Sequence, residues 1–198
     1  MFKRAFDLGW TIAGLLTFGL PMLIVAIWIK LDSPGPVFFR QERVGRHGKV
    51  FRIHKFRTMT VDAEQRGLQL TVGADARVTR VGRVLRANRL DELPQYFDVL
   101  AGDMSVVGPR PDVPRYVDRW PADLRDRVLA VRPGMADPAS LKFRDEASLL
   151  AQAADPEREY MEVILPRKLA LAADYADHAS LWTDLGVIAR SLVVLFFR

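Results

Sequence analysis

The chain has 198 residues, a length that suits one domain with a hydrophobic core or one compact domain plus a membrane element. It contains no cysteine, which excludes a disulfide framework and a thiolate metal site. The formal net charge of +5 indicates anionic partners, and nucleic acid, phosphorylated substrates and an anionic membrane surface all qualify.

An uncharged stretch of 22 residues runs from Leu8 to Ile29 near the N-terminus. As a straight helix it would be about 33 Å long, against a bilayer hydrocarbon core of about 30 Å. The stretch therefore predicts a membrane segment. A cleaved signal peptide is the alternative, but its apolar region would be shorter and would be followed by a small-residue cleavage site.

Positive charge lies on both sides of this segment, with Lys3 and Arg4 before it and a series of lysines and arginines after it. Such charge marks the cytoplasmic side of a membrane segment. Gly19 and Pro21 in the middle predict a kink, because proline cannot donate the helical hydrogen bond and its ring clashes with the preceding turn. A helix that enters, bends and returns to the same face fits both observations, and a kinked spanning helix is the alternative.

A β-hairpin is predicted after the turn at residues 33–36. Residues 37–44 form one short run, and residues 49–57 form a second in which apolar and polar residues alternate. A turn that contains Gly45 and Gly48 joins the two runs, which is typical of a hairpin.

Beyond the hairpin the pattern is helical. Short helices are predicted over residues 62–70 and 122–130, and a longer amphipathic helix over 160–175 contains Pro166 as an awkward interior residue. Residues 182–198 are too short and too interrupted by charge to span a membrane, so a helix in the interface or packed on the core is predicted there.

No low-complexity linker divides the chain, so we predict one α+β domain over residues 1–198. Residues 1–30 form its membrane helix, either re-entrant or spanning. Residues 31–198 form a globular part, built mostly of short helices with a small β-hairpin and interfacial amphipathic helices.

Five arginines recur at every third position next to a series of valines. On a helix this spacing forms a slanted basic stripe, most of which is expected to face solvent or lipid headgroups. At least one arginine is a candidate for binding a substrate phosphate, because guanidinium groups suit bidentate phosphate contacts. The five are Arg77, Arg80, Arg83, Arg86 and Arg89.

Asp91 and Glu92 are the candidate reaction centre. Two adjacent carboxylates between leucines usually mark only a surface turn or the start of a helix. Pro94 favours the first position of a helix, which would place the pair just before a helix N-terminus. The positive end of the helix dipole, with Arg86 or Arg89 nearby, would keep a carboxylate ionised as a nucleophile or metal ligand.

Two further segments offer cations for a phosphate. Residues 102–112 are predicted to be a rigid loop in which Arg110 lies between two prolines, a restriction that would aim one cation at a diphosphate. A simple turn between helices is the alternative. Lys55, at the end of the hairpin, is another candidate, although membrane-surface charge explains it equally well.

The three histidines are far apart and show no metal-ligand spacing, so they are expected to be structural or exposed. They are His47, His54 and His178.

Four motifs in one order closely resemble the bacterial sugar transferases, also called monotopic phosphoglycosyl transferases. They are Ser-Pro-Gly-Pro-Val-Phe-Phe-Arg-Gln-Glu-Arg-Val-Gly (33–45), Lys-Phe-Arg-Thr-Met (55–59), Leu-Asp-Glu-Leu-Pro-Gln (90–95) and Gly-Asp-Met-Ser-Val-Val-Gly-Pro-Arg-Pro (102–111). The resemblance covers nearly the whole chain, and four motifs in register are far more specific than any one of them.

The resemblance implies a re-entrant helix on the cytoplasmic face of the bacterial inner membrane. It implies that Asp91 attacks the β-phosphate of a UDP-sugar, releases UMP and holds the phosphosugar covalently until polyprenyl (undecaprenyl) phosphate takes it up, the first membrane step of glycoconjugate assembly. Mg²⁺ would assist at Asp91 and Glu92, with Glu92 as the expected ligand. Arg86, Arg110 and Lys55 match positions that would contact the substrate phosphates or the nucleotide.

The chain departs from the usual family pattern at Leu20, Thr58 and Ala76, where serine, serine and proline are more frequent. It departs again over residues 135–140, which follow Arg132-Pro-Gly134. This last difference concerns acceptor or sugar specificity rather than the reaction.

Two other classes of protein remain alternatives. A membrane-anchored scaffold that binds anionic lipid would explain the basic residues 40–57 but would leave Asp91, Glu92 and Arg110 without a role. A glycoside hydrolase fits poorly, because its two carboxylates flank the sugar several ångströms apart and usually come from separate segments. Nucleic-acid binding is not expected of a chain with a membrane segment. The sequence discloses neither the sugar nor the pathway, and a homo-oligomer is possible.

Overall fold

Helices make up most of the computed structural model, which describes residues 2–63, 75–143 and 145–196. The α-helices are α1 (Phe2–Asp32), α2 (Arg80–Ala87), α3 (Gln95–Ala101), α4 (Pro114–Val117), α5 (Ala122–Val128), α6 (Pro138–Lys142), α7 (Glu146–Gln152), α8 (Pro156–Glu159), α9 (Leu165–Asp177) and α10 (Leu181–Phe196). The strands are β1 (Phe38–Val44), β2 (Val50–Phe56), β3 (Ser105–Val107) and β4 (Gly134–Ala136). The fold is α+β, which confirms the predicted class.

The helix α1 has 31 residues and contains Pro21 in its interior. Helical conformation continues through Gly19 and Pro21, where the sequence predicted a kink. Within the described ranges it is the one helix long and apolar enough to cross a membrane by length and composition, with a mean hydropathy of 2.3 over an 18-residue stretch.

One face of α1 packs on the globular part over nearly the whole length of the helix, because its buried residues recur at spacings of three and four or their sums. They are Asp7, Thr11, Gly14, Met22, Val25 and Ile29. Near the start, the Arg4 guanidinium donates to the carbonyls of Val99 at 2.6 Å and Leu100 at 3.0 Å, at the C-terminal end of α3. Near the other end, Ile29 packs in a buried cluster with Phe56 and Leu85.

A buried polar cluster joins α1 to β3 and α10. Lys3 Nζ lies 3.1 Å from Asp7 Oδ1 and 2.7 Å from Asp184 Oδ2. The Ser105 hydroxyl donates to Asp7 at 3.0 Å, and the Tyr175 hydroxyl donates to Asp184 at 2.5 Å. Buried carboxylates need such compensation, so the cluster fixes the start of α1 on the globular part.

The predicted hairpin is confirmed. Strands β1 and β2 pair antiparallel, with Phe38 opposite Phe56 and Val44 opposite Val50. The turn between them is a short 3₁₀ segment, Arg46–Gly48, in which His47 and Gly48 have the positive φ angles of 57° and 76°. The hairpin carries Lys55 on its second strand and brings it beside the helices.

A second, parallel pair of strands was not predicted. Strand β3 lies inside residues 102–112, which the sequence predicted as a loop, and pairs with β4. The two segments approach closely, because a Cβ atom on Gly134 would lie 2.0 Å from the Gly108 nitrogen. This contact joins Gly108, directly after β3, to Gly134, the first residue of β4.

Most helix predictions can be compared with the structure. Helix α5 confirms the one over 122–130. The longer helix predicted over 160–175 begins as a π-helical turn, Tyr160–Ile164. Pro166 is the second residue of α9, where its missing N–H costs little. Of the helix predicted over 62–70, residues 64–70 lie outside the described ranges.

Helix α10 packs on the core, as one of the two sequence alternatives predicted. Val187 and Ile188 are buried in a cluster with Met104 and Val106, whereas Trp182 is 83% exposed. The histidine expectation also holds: the backbone N–H of His54 donates to Asp98 at 2.9 Å, a contact that ties β2 to α3. His47 and His178 are exposed.

Candidate active site

Asp91 and Glu92 lie in a 3₁₀ turn, Leu90–Glu92, between α2 and α3. Arg89, immediately before the turn, has left-handed backbone angles of φ 53° and ψ 21°. Such angles are uncommon for residues other than glycine and are often found at functional sites. Pro94 directly precedes α3, so the helix start predicted just after the two carboxylates is confirmed.

Two cations hold the Glu92 carboxylate. Lys55 Nζ lies 2.9 Å from Glu92 Oε1, and the Arg110 guanidinium contacts both carboxylate oxygens, with Nη1 3.4 Å from Oε2. Burial acts to raise the pKa of Glu92, but the charges of Arg110 and Lys55 outweigh it and hold that pKa well below its usual range. Glu92 is therefore an ionised carboxylate.

The same contacts act on the two cations. Burial lowers the pKa of Lys55, and the charge of Glu92 opposes that shift. The charge of Glu92 raises the pKa of Arg110. The structure thus brings together three of the five predicted site residues, from β2, the 3₁₀ turn and the segment after β3.

The Asp91 carboxylate has no hydrogen bond or ion pair with any residue in the described ranges. Burial raises its pKa, the charge of Lys55 opposes the shift, and the charge of Glu92 adds to it. The charge of Arg86 also lowers the pKa of Asp91, as expected of an arginine that helps to keep a carboxylate ionised. For Glu92, the more distant residues Arg110 and Lys55 have this effect.

Arg86, the third predicted cation, lies on α2, and its Nε donates to the Thr58 hydroxyl at 2.8 Å. Burial lowers the pKa of Arg86, and the charge of Asp91 opposes the shift. A Cβ atom on Gly82 would lie 2.0 Å from the Thr58 carbonyl oxygen, so α2 packs directly on the backbone there. Thr58, a departure from the family pattern, thus keeps a hydroxyl that orients Arg86.

The five-arginine stripe does not form one helical face. Helix α2 carries Arg80, Arg83 and Arg86, and the first two are exposed. Arg77 precedes the helix and pairs with Asp75. Arg89 follows the helix, and its left-handed backbone turns the chain toward the reaction centre.

Two cavities flank the reaction centre. The first has a volume of about 360 Å³ and is bordered by Arg110 and by the paired side chains Lys168 and Glu146. The second, of about 700 Å³, lies between α1 and α10 and reaches Glu92. Arg89 borders both cavities.

The divergent segment after Gly134 lines these cavities. Asp137 and Ser140 border both, while Met135 and Leu141 border the second. Asp137 also caps α6, accepting from the backbone N–H of Ser140 at 2.8 Å. This location fits the expectation that the segment concerns specificity rather than the reaction.

Sequence reasoning did not single out Arg43, which borders the first cavity and lies 3.7 Å from Asp112. Tyr160, whose hydroxyl donates to Asp112 at 3.2 Å, was missed as well. Strand alternation could have found Arg43, because it shares a face of β1 with Gln41, another residue of this cavity. Tyr160 is distant in sequence and carries no comparable signal.

Asp91 and Glu92 supply carboxylate oxygens, the ligands that Mg²⁺ prefers, but no group of three or more candidate ligand residues occurs in the described ranges. Mg²⁺ commonly binds one or two carboxylates and completes its coordination with substrate phosphates and water. The pair fits such a partial site, with the Asp91 oxygens uncommitted and Glu92 shared with two cations.

Comparisons with known proteins point to one family. A family model described as bacterial sugar transferase matches residues 1–198. UDP-glucose:undecaprenyl-phosphate glucose-1-phosphate transferase of Caulobacter vibrioides is 38% identical over 96% of this chain and 68% of that protein. The enzyme of the same description from Escherichia coli is 34% identical over 95% of this chain and 39% of that protein.

A third relative has a different donor in its name. UDP-N-acetylgalactosamine-undecaprenyl-phosphate N-acetylgalactosaminephosphotransferase of Aeromonas hydrophila is 46% identical over 68% of this chain and 32% of that protein. The match thus spans about a third of the Aeromonas protein and about two fifths of the Escherichia protein.

Proposed function

Since the chain belongs to the bacterial sugar transferase family, we propose that it moves a sugar 1-phosphate from a UDP-sugar to polyprenyl phosphate, specifically undecaprenyl phosphate. One observation carries the proposal: Asp91, a carboxylate with no hydrogen bond or ion pair among the described residues, lies beside a cluster of cations suited to phosphates. The relatives' names support the two substrates.

In the first step an Asp91 oxygen attacks the β-phosphorus of the UDP-sugar. The bond from that phosphorus to the bridging oxygen breaks, UMP leaves with the bridging oxygen, and the phosphosugar stays bound to Asp91 as an acyl phosphate. The absence of a hydrogen bond or ion pair to Asp91 in the described ranges favours this role, because its lone pairs are available to attack.

In the second step an oxygen of the polyprenyl phosphate attacks the same phosphorus. The bond to Asp91 breaks, its carboxylate is restored, and polyprenyl-diphosphate sugar forms. Both steps are displacements at one phosphorus. Because of the covalent intermediate, the two anionic substrates react with the enzyme in turn and not directly with each other.

The cations neutralise the charge that develops in both steps. Lys55, Arg86 and Arg110 surround the reaction centre, and the charge of each acts on the pKa of Asp91. Fixed cations in a partly buried site stabilise such charge more strongly than cations in water. We propose that Glu92, by pairing with Lys55 and Arg110, holds those two cations in place.

We further propose that Asp91 and Glu92 would hold Mg²⁺ together with substrate phosphate oxygens. The ion would supply additional neutralisation of phosphate charge. Glu92 is the expected principal ligand, and it would share its oxygens between the ion and its two cationic partners.

We propose that α1 does not cross the membrane and that the protein lies on the cytoplasmic face of the bacterial inner membrane. A straight helix of this length is about 46 Å long, and crossing a hydrocarbon core of about 30 Å would separate its ends. Here Arg4 near one end and Ile29 near the other both contact the globular part. Because both ends contact the same globular part, and that part cannot lie on both sides of a bilayer, α1 is not expected to span.

The opposite face of α1 supports membrane association. It carries seven large apolar residues that are 52% to 82% exposed: Ile12, Leu16, Leu20, Leu23, Ile24, Ile27 and Leu31. A face of this kind suits lipid rather than water.

The test is UMP release by the detergent-purified protein with undecaprenyl phosphate and Mg²⁺. The donors should include UDP-glucose and UDP-N-acetylgalactosamine, because the relatives' names divide between these sugars. Asp91→Asn should abolish UMP release and the covalent phosphosugar adduct seen by mass spectrometry, whereas the exposed Asp118→Asn should retain both. Undiminished turnover by Asp91→Asn would rule out the proposed nucleophile.

The scaffold alternative predicts lipid binding without UMP release from any donor. It gives no role to the Asp91 carboxylate beside Glu92, Lys55 and Arg110.

A further inference from the structure

The 700 Å³ cavity has two helical walls with regular spacing. Helix α1 contributes Trp10, Ala13, Gly14, Thr17 and Phe18, and α10 contributes Ile188, Ser191 and Leu192. Spacings of three and four place each set on one side of its helix. The volume is within the range of about 300–1,000 Å³ that is usual for ligand sites.

The lining of this cavity, named the α1–α10 groove from here on, changes in polarity. Tyr96, Val106 and Leu141 continue the apolar surface between the helices, and Arg89 and Glu92 border it where it meets the reaction centre. The other charged residues of the lining are Asp137 and Asp145. A ligand with a long apolar body and a charged head matches this arrangement. A UDP-sugar, polar throughout, does not, because its hydroxyl and amide groups would lose water without gaining hydrogen bonds on the apolar walls.

The groove is continuous with the side of α1 that suits lipid. Ile12 on α1 is 52% exposed and directly precedes Ala13 of the groove wall. The apolar residues Trp10, Phe18 and Leu192 are 37%, 38% and 44% exposed, as expected for the rim of an open groove. An apolar chain could therefore enter from the lipid side without passing through water.

Arg89 supplies a positive charge for the anionic head of such a ligand. Its guanidinium has no hydrogen bond or ion pair in the part of the chain that the structure describes. It lies two residues before Asp91 and borders the groove as well as the smaller cavity. A guanidinium in this position can bind the phosphate of a ligand whose apolar body occupies the groove.

We propose that the α1–α10 groove binds the isoprenoid chain of the polyprenyl phosphate acceptor, with its phosphate at Arg89 next to Asp91. This inference rests on the proposed function. The smaller cavity, bordered by Arg43, Arg110 and Lys168, then serves the nucleotide-sugar donor.

Ala13→Trp tests the groove, because it places an indole in the groove wall at an exposed position of α1. Ile12→Trp is the matched control, since it places the same side chain one residue away and outside the groove. Two rates are measured for each variant: the single-turnover release of UMP without acceptor, and the transfer to undecaprenyl phosphate.

Ala13→Trp should lower kcat/KM for undecaprenyl phosphate by roughly tenfold or more relative to Ile12→Trp, a scale typical of hydrophobic-pocket discrimination. Its single-turnover UMP release should equal that of Ile12→Trp. Equal transfer by the two variants would overturn the proposal, and so would a loss of UMP release confined to Ala13→Trp. If the unmodified protein releases no UMP from any donor, the proposed function itself fails.

Arg89→Asn tests the phosphate end, because asparagine tolerates the left-handed backbone that this position requires. We expect a higher KM for undecaprenyl phosphate with little change in the KM for the UDP-sugar, and recovery in Arg89→Lys. An increase confined to the donor KM would overturn the assignment of the phosphate.

The alternative occupant is ordinary membrane lipid. A photoreactive undecaprenyl phosphate should label groove residues in the unmodified protein, and unlabelled undecaprenyl phosphate should compete while phosphatidylglycerol vesicles should not. Equal competition by both would show a general lipid site and contradict the proposal.

Discussion

Asp91 and Glu92 are neighbours in sequence, yet their surroundings shift their pKa values in opposite directions. Glu92 has two cationic partners and its pKa is held low, whereas Asp91 has none in the described ranges and burial raises its pKa. The difference suits separate roles, in which one carboxylate organises cations and the other is free to react with phosphorus.

The rate of UMP release should fall at acidic pH through an apparent pKa above the ordinary aspartate value of 3.8, because the attacking Asp91 must be ionised. Lys55→Met should move this fall to higher pH, since the charge of Lys55 lowers the pKa of Asp91. Single-turnover UMP release measured against pH checks both. A fall at or below pH 3.8, or a shift to lower pH in Lys55→Met, would contradict the prediction.

Unfolding should not cause that fall in rate. The pKa of Glu92 is depressed in the folded state, so its contribution to stability is complete above its unfolded value, near 4.5, and is lost only as the pH falls through the depressed value. The midpoint temperature of thermal unfolding should therefore stay constant at the pH values where activity begins to decline.

Glu92→Gln should lower the free energy of unfolding by about 2 kcal/mol, because Lys55 and Arg110 lose their anionic partner in a largely buried site. Glu157→Gln is the matched control, because its partner Arg115 is half exposed and such surface pairs contribute about 1 kcal/mol or less. Denaturant unfolding in detergent measures both. Equal effects would contradict the structural role of Glu92.

At the residue scale, sequence reasoning singled out Asp91 and Glu92 as the candidate reaction centre but did not predict their different surroundings. The motif around Asp91 and Glu92, and the helix start after Pro94, could be predicted from neighbouring residues. The partners of Glu92 could not, because Lys55 and Arg110 are distant in sequence and only the packing of β2 against the segment after β3 brings them together.

Helix α2 positions Arg86 through a single close contact. Gly82→Ala should destabilise the protein by about 1–3 kcal/mol, the usual range for overpacking, because the new Cβ atom would overlap the Thr58 carbonyl. It should also slow UMP release in protein that remains folded, since Arg86 would lose its hydrogen bond to Thr58.

Gly19→Ala provides the matched control, because it is a helical glycine with no atom within 4 Å of the added Cβ. It should leave stability unchanged or slightly higher, as expected from helix propensity. Thermal unfolding and single-turnover assays compare the two variants. A Gly82→Ala protein as stable and active as Gly19→Ala would refute the role of this contact.

At the element scale, local patterns predicted what depends on local pairing. Alternation and two turn glycines were enough for the hairpin of β1 and β2. Strands β3 and β4 have three residues each and pair across a long sequence separation, so no periodicity could reveal them. Pro166 was awkward for one continuous helix, and a π-helical turn before α9 resolves that conflict.

At the scale of the whole molecule, the contacts of α1 determine how its topology should be tested. The sequence contains no cysteine, so introduced thiols are the sole labelling sites. Phe2 is 85% exposed and Pro36 is exposed, so both can be replaced by cysteine. Gly35 is a poor choice, because its φ is +121° and a Cβ atom there would lie within 2.2 Å of Arg57.

Phe2→Cys and Pro36→Cys should be labelled by a membrane-impermeant maleimide from the same side of sealed vesicles, the cytoplasmic one. The reason is that both ends of α1 pack on one globular part. Inside-out and right-side-out vesicles provide reciprocal controls. Labelling of the two positions from opposite sides would establish a spanning helix and refute the proposed topology.

The attachment of α1 to one body near both ends has a consequence for the lipid environment. A spanning helix must match its apolar length to the thickness of the bilayer, and a mismatch tilts it or deforms the lipid. In the proposed topology, a helix secured at Lys3 and again at Ile29 has no second headgroup layer to reach. The depth of the reaction centre in the bilayer is then set by the protein's own packing. Changes in the acyl-chain length of the lipids should therefore leave this depth nearly unaltered.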